Sequence, residues 1–467
     1  MSGTERLTPV DAMFLDLEEP CAHMHVGGVL VFEGGAPSHA DLLAHITARL
    51  DRVPRYRQRL AFVPFQLGRP IWVDDASLDV ATHVRRSLLP SPGGAGALRE
   101  RAARFFAEPL DLRRPLWQLE LVEGLGPDRF ALLSKTHHCL LDGIGGVDFL
   151  LAITDATRAA PAAAERAPWR PRPAPGPVAR LVDALRDQVA RPVRLAREAL
   201  EPGTEGRSVL RDLVLGARPL ARLALGLTAR RWPLDTITGP GRSWAMPALS
   251  LADAQEVRAT LGGTVNDVLL AVVAGAARTL LVARGDAVPD AIRVFVPVNV
   301  RPEAARGTYG NQVALVLCPL PLGEPDPVAR LRRISEATRR LKADRQATGV
   351  LAFTHLGELA PALVAGEAIR IVLALHPFNL VVSNIPGPPA ARWLLGRRLA
   401  ACHPAIPLAR GQSLSVGLFS YAGTIGVGLL GGAERERDLA VLSAAIPAAL
   451  AELVAAARAV APARGHG

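Results

Sequence analysis

The stretch "RAAPAAAERAPWRPRPAPGP", residues 158–177, constrains the architecture of this chain more than any other segment. Each proline removes a backbone donor and fixes φ, so neither a helix nor a sheet ladder passes through such a run. It reads as an exposed, semi-extended linker with a block of chain on either side. The length of 467 residues points the same way, because one core rarely serves so long a chain.

The first block alternates strand and helix patterns. "HVGGVLVFEG" (25–34) reads as a strand, and "HADLLAHITARLDRV" (39–53) reads as a helix with Leu42, Leu43, Ile46 and Leu50 on one face. "LWQLELVEGL" and "RFALLSKTH" read as adjacent strands turning at "GPDR", and "GIGGVDFLLAITDA" as a following helix. Residues 178–233 differ: Leu181, Leu185 and Val189 fall along one side, with Arg180, Arg186, Arg191, Arg194 and Arg197 elsewhere. A basic amphipathic segment suits a membrane interface; the alternative is a pair of domain-packing helices with a solvated basic face.

In the second block "TVNDVLLAVVAGAARTLLVARG" (264–285) is a well-marked helix, with Thr264 and Asp267 at capping-box spacing and Gly285 as its stop. "IRVFVPVNV", "NQVALVLCPLPL" and "FNLVVSNI" supply strands, "SLSVGLFSYAGTIGVGLLGG" a hairpin, and "LAVLSAAIPAALAELVAAARAV" a closing helix. The expected organisation is therefore two α/β domains of similar size, 1–157 and 240–467, separated by linker and basic helices over 158–239.

The formal net charge of +10 favours an anionic partner: nucleic acid, an anionic membrane surface or a phosphorylated substrate. Few aromatics interleave with the arginines, which argues against stacking on single-stranded nucleic acid. Cys21, Cys139, Cys318 and Cys402 are scattered and form no CxxC pair, which argues against a disulfide framework or zinc ribbon and fits a reducing cytosol. The opening "MSGTERLTPVDAMFLDLEEP" places acids where the apolar core of a signal peptide would stand. No uncharged apolar run reaches the roughly 20 residues that span a bilayer. A cytoplasmic chain touching lipid only peripherally is the expectation.

"SKTHHCLLDGIGG", residues 134–146, is the densest chemical feature. It lies where a strand gives way to a loop and then a helix, a place that presents side chains on a rigid support. A metal reading lacks a third ligand and any HExxH pattern. A Cys139–His138 pair is disfavoured because sequence neighbours point apart, so Cys139 reads as packing. Two readings stay level on spacing: His138 as a general base with Asp142 as its brace, or two polar residues satisfying a turn. Gly143, Gly145 and Gly146 leave room for a ligand to approach the backbone.

"HHCLLDG" matches the HHxxxDG motif of the bacterial wax ester synthase/diacylglycerol acyltransferase family, and the chain resembles that family over nearly its whole length. The resemblance is carried by "LTPVDAMFLDLEEPCAHMHVGGVLVFEG", "VPRYRQRL", "WVDDASLDVATHVRR", "LPSPGG" and "RRPLWQLELVEGL", then by "TVNDVLLAVVAGAAR", "VPVNVRP", "YGNQVALVLCPLP" and "VVSNIPGPP" in the expected order. Two positions depart from it. Cys139 stands where the family commonly has alanine, and "GGAERERDLAVL" replaces a more acidic segment.

The resemblance implies two chloramphenicol-acetyltransferase-like domains with mixed sheets flanked by helices and the active site at their interface. It implies transfer of a long-chain acyl group from acyl-CoA to diacylglycerol or a long-chain alcohol, with His138 as base and with neither metal nor prosthetic group. Asp142 is then an orienting residue whose favoured partner is Arg301, and His137 shapes the turn. Ser383 is a candidate oxyanion donor or simply a turn-capping serine. Asn266, Asp267, Pro115, Leu116 and Trp117 are architectural. The expected partners are these lipids and a membrane or lipid-droplet surface, not nucleic acid. The competing functions are an acyltransferase of the same fold that takes its acyl group from a carrier protein, and a non-catalytic basic lipid-binding protein.

Overall fold

The computed structural model describes residues 5–140, 145–159, 169–200, 229, 231–235, 239–299, 313–343, 370, 376–408 and 411–460. Strand β1 (His25–Glu33) is followed by a small hairpin, β2 (Gln58–Ala61) and β3 (Ile71–Asp74), and then by β4 (Val84–Leu88), β5 (Trp117–Gly126) and β6 (Arg129–His137). The second half contributes β7 (Arg242–Ala245), β8 (Ala248–Ser250), β9 (Ile292–Asn299), β10 (Val313–Leu320), β11 (Leu380–Pro386), β12 (Trp393–Leu394), β13 (Arg397–Ala405), β14 (Leu414–Tyr421) and β15 (Thr424–Gly432). Two mixed sheets result, in the orders β12–β13–β1–β6–β5–β4 and β10–β9–β11–β14–β15–β7, with β8 also paired to β15.

The strand patterns explain the first sheet's two cores. Along β1, Leu30 and Phe32 face one side while Val29 faces the other; along β6, Phe130 and Leu132 oppose Ala131 and Leu133. This is the two-residue alternation of a pleated strand. Leu30, Phe32, Phe130 and Leu132 bury against α2 (His39–Thr47) and α4 (Gly145–Ile153), which follows α3 (Gly94–Ala107) in the chain. On the opposite face α3 inserts Leu98, Phe105 and Phe106, and there it meets Trp244 of β7 and Leu430 of β15. The two halves thus share a core.

Residues 39–53 do not form one helix. Helix α2 stops at Thr47, and short 3₁₀ turns continue at Leu50–Arg52 and Pro54–Arg57. A distant contact and a nearby proline keep the segment from continuing as one helix. Arg49 turns inward, where its Nη2 donates to both carboxylate oxygens of buried Asp155 at 2.8 and 3.0 Å, and Pro54 cannot supply a helical N–H. Leu42, Ile46 and Leu50 are buried as the spacing predicts, whereas Leu43 is only half-buried.

Within 158–239, residues 169–176 run as exposed coil for most of their length, and α5 (Pro177–Leu200) starts with proline at its first position. Residues 201–228 lie outside the described residues. The second core surrounds α6 (Leu251–Leu261), α7 (Val265–Arg284), α8 (Pro327–Ala343) and α9 (Glu436–Val460). The helix α7 starts on the predicted capping box and ends on Gly285 at φ 74°. The segments Val265–Arg284 and Ala433–Val460 are long and apolar enough to cross a membrane, but 72% and 44% of their most apolar stretches are buried within the protein. The first is the central helix of the second core.

The pair β12–β13 joins the halves. It lies late in the chain, yet β13 runs antiparallel to β1, from Gly27 opposite Ala405 to Phe32 opposite Leu399. The same strand crosses closely over β14 and β15. A Cβ on Gly426 would stand 1.9 Å from the Cys402 carbonyl oxygen, and one on Gly428 would stand 1.8 Å from that of Pro404. Only glycine permits so close a crossing at these two positions.

Candidate active site

The histidine pair occupies the end of β6, where β1 begins. His25 pairs across the strands with His137, and a short 3₁₀ turn, His138–Leu140, follows. Backbone hydrogen bonds fix this corner: the His137 N–H donates to Leu116 O at 2.9 Å and the His138 N–H to Met24 O at 2.8 Å. Leu116 is fully buried, as is Trp117, whose indole N–H donates to Tyr56 O at 2.8 Å. The Trp117 ring stacks on His83 with centroids 4.7 Å apart. The Pro115–Trp117 stretch therefore forms the floor of the histidine turn.

Helix α1 (Pro9–Asp16) covers the turn. Thr8 caps it by accepting from the Asp11 N–H, and Pro9 stands at its first position. From this helix Phe14 stacks on His138, with centroids 3.7 Å apart and rings 13° from parallel. Among the described residues the Nδ1 of His138 is buried with no side-chain hydrogen-bond partner. Burial lowers the pKa of this imidazole from 6.5 to about 4, so it is neutral at physiological pH. An unprotonated imidazole can accept a proton from a hydroxyl.

His137 is engaged. It is fully buried, its Nε2 lies 2.8 Å from Glu18 Oε2, and its Nδ1 accepts the Cys139 backbone N–H at 3.2 Å. Burial raises the Cys139 thiol pKa well above 9.0, which makes it a poor nucleophile and keeps it a packing residue. Asp142, Gly143 and Arg301 lie outside the described residues.

The remaining expected residues lie on the second half. Asn266 and Asp267 open α7, where Asp267 accepts from the Thr264 N–H at 2.8 Å and from the Thr338 hydroxyl at 2.8 Å. Asn266 Oδ1 accepts from the Asn384 amide at 3.2 Å, tying α7 to β11. Ser383, beside Asn384, is buried on β11 with Gly417 of β14 as its register partner. No hydrogen bond among the described residues joins Ser383 to His138. Among those residues no group of histidine, cysteine and carboxylate side chains has the arrangement of a metal-ion site.

Three contacts at this site escape sequence reasoning. Glu18 and Phe14 stand more than a hundred positions from the histidine pair, and no local pattern links them to it. Asn384 adjoins the expected Ser383, and its bond to Asn266 spans 118 positions. One signal was visible: the alternation of "AHMHVGG" places His23 and His25 on one side, and both lie near Glu18 Oε1, at 3.6 and 3.7 Å.

The loop bearing Glu18 also receives donors from the second half, Arg242 to Cys21 O at 2.6 Å and Arg370 to Asp16 O at 2.9 Å. The histidine corner thus borders the junction between the halves.

Comparison with known proteins follows the same span. Residues 7–269 match the model of the wax ester synthase/diacylglycerol acyltransferase catalytic domain, and residues 309–454 match the C-terminal domain of that family. The chain is 31% identical over 460 residues to the probable diacylglycerol O-acyltransferase tgs1 of Mycobacterium tuberculosis, covering 96% of each chain. It is 34% identical over 439 residues to tgs2 of the same organism, covering 91% of this chain and 93% of that one. Among solved structures, the wax ester synthase/diacylglycerol acyltransferase of Marinobacter aquaeolei VT8 superposes with a TM-score of 0.68 at 25% identity, covering 97% of this chain and all of that one. The first condensation domain of the CDA synthetase shares the fold at 18% identity, with a TM-score of 0.56 and 97% of each chain covered.

Proposed function

The chain belongs to the wax ester synthase/diacylglycerol acyltransferase family, and from that premise we propose that it transfers a long-chain acyl group from acyl-CoA to the hydroxyl of diacylglycerol or of a long-chain alcohol. The observation that carries the reading is His138: a neutral imidazole, stacked on Phe14, beside a second histidine that is already held by Glu18.

In this scheme His138 takes the hydroxyl proton as the alcohol oxygen attacks the thioester carbonyl. The tetrahedral intermediate collapses, the C–S bond breaks, and the CoA thiolate recovers the proton from the imidazolium. A positioned base contributes about 10²–10⁴ in rate, and water kept from the site protects the thioester from hydrolysis. Asp142 serves as the brace of the loop and Ser383 as the donor to the oxyanion. No metal or prosthetic group takes part in the scheme, and the acyl-CoA is a substrate.

The test is release of CoA from palmitoyl-CoA. It should require diacylglycerol or a long-chain alcohol and should vanish in His138→Ala. Equal release by that variant would remove the assignment, and activity only with an acyl-carrier-protein thioester would redirect it.

The acceptor lipids reach the enzyme from a lipid surface, and one face of the first half suits such contact. In the β2–β3 loop Phe65 is 81% exposed, with Phe62 and Leu67 beside it. Helix α5 is seated on this loop through buried Ala184 and a hydrogen bond from the Gln188 amide to Leu67 O, and it presents Val178, Val182 and Leu185 outward. Arg170 and Arg186 are exposed on the same segment, with exposed Asp183 3.8 Å from Arg186. Apolar side chains at helical spacing on an exposed amphipathic helix fit a lipid interface. Phe65→Ser with Leu185→Ser should weaken flotation with anionic liposomes, and unchanged flotation would exclude this face.

A further inference from the structure

The Glu18 carboxylate is largely buried, with 15% of its side chain exposed, and three imidazoles surround it. The cost of burial raises its pKa, but hydrogen bonds from His137 and His23 overcome that and hold the group ionised, at about 2. A buried carboxylate is a poor choice for packing alone, because apolar residues of similar volume stabilise as well or better.

The geometry around His137 gives this acceptor a specific task. The Cys139 N–H donates to His137 Nδ1 at 3.2 Å, so Nδ1 carries no hydrogen. The ring hydrogen then sits on Nε2 and points at Glu18 Oε2, 2.8 Å away. One tautomer satisfies both contacts. The chain of bonds runs from Glu18 through the His137 ring to the Cys139 amide, the residue directly after His138. The neighbouring Phe14 comes from the helix that precedes Glu18 in the chain, so one N-terminal segment supplies both the ring over His138 and the anion behind His137.

We propose that Glu18 is the positioning residue of the histidine pair: its carboxylate fixes the His137 tautomer and, through the Cys139 amide, the turn that aims His138 at the substrate hydroxyl. Glu18 does not touch substrate. The proposal rests on His138 being the base, and the experiment separates the two ideas.

With the full-length enzyme, kcat and KM for palmitoyl-CoA and diacylglycerol are measured alongside the thermal midpoint for His138→Ala, Glu18→Ala, Glu18→Gln and Glu18→Asp. His138→Ala should be inactive; if it is active, the functional reading fails before Glu18 is considered. Glu18→Ala should lower kcat about 100-fold, the cost of a small misplacement of a catalytic group, with both KM values unchanged. Glu18→Gln, whose amide oxygen still accepts from His137 Nε2, should recover most of kcat, and the shorter Asp should not. Wild-type kcat in Glu18→Ala overturns the proposal. So does a loss in all three Glu18 variants that follows only the fall in thermal midpoint. If Glu18→Ala does not fold, the order of Gln and Asp decides, and Asp outperforming Gln overturns it.

Discussion

Phe14 lies flat against His138, with ring centroids 3.7 Å apart. The contact covers one face of the imidazole, limits its rotation about χ2 and strips water from it. Such a ring pair is worth about 0.5–1.5 kcal/mol beyond simple burial. Phe14→Ala should therefore lower kcat by roughly two- to tenfold by this contact alone, while Phe14→Trp should retain most activity. The two kcat values, measured at saturating acyl-CoA, check this.

With His138 as the proposed base, the acid limb of kcat/KM should lie near pH 4 rather than near 6.5, because burial depresses its pKa to about 4. Stability should shift in the same direction. The pKa values of His25 and His138 are both depressed by burial, so below about 6.5 the unfolded chain binds protons that the folded chain refuses. The free energy of unfolding should fall as pH drops from about 6.5 to about 4. A pH–rate profile and urea melts across that window test the two statements separately.

Asp267→Ala should cost stability without touching chemistry. It removes a carboxylate that accepts both the Thr264 N–H and the Thr338 hydroxyl at the head of the central helix of the second core. Hydrogen bonds to charged groups are worth about 1.5–3 kcal/mol each. The expected result is a lower urea midpoint with kcat per folded molecule unchanged. A large loss of kcat in fully folded protein would give Asp267 a role in the reaction.

Gly426→Ala should be far more damaging than an exposed Gly→Ala change. The new Cβ would fall 1.9 Å from the Cys402 carbonyl oxygen, which belongs to backbone and cannot swing away. Separating the two strands enough to admit a methyl should cost about 1–3 kcal/mol or more, read as a drop in thermal midpoint. Gly285→Ala, where nothing lies within 4 Å but φ is 74°, is the useful contrast. It should cost about 1 kcal/mol from backbone strain alone.

What was legible in the sequence was local. The capping box of Thr264 and Asp267, the Gly285 stop, the β5–β6 and β14–β15 hairpins and the histidine turn after β6 each depend on residues a few positions apart, and each stands where it was expected. Residues 39–53 failed because the decisive contact, Arg49 with Asp155, spans over a hundred positions. Strand β13 was not among the expected strands, and its pairing with β1 across more than 360 positions leaves no trace in a period of two. Glu18 was missed for a similar reason: as one acid in "LEEP" it has no chemical identity until the fold sets it against three histidines.

Strand β13 also dictates an order of events at the ribosome. Translation delivers β1, β4, β5 and β6 early, but the partner that covers β1 is finished only at residue 405. Until then β1 is an open strand edge with apolar Val29 and Leu30 along it, a template for pairing with another nascent chain. A first half made without β13 would leave that edge of β1 unpaired. The sheet that carries the histidine pair is therefore closed on that side only once residue 405 has been made, so its open edge belongs to the growing chain and not to the finished protein.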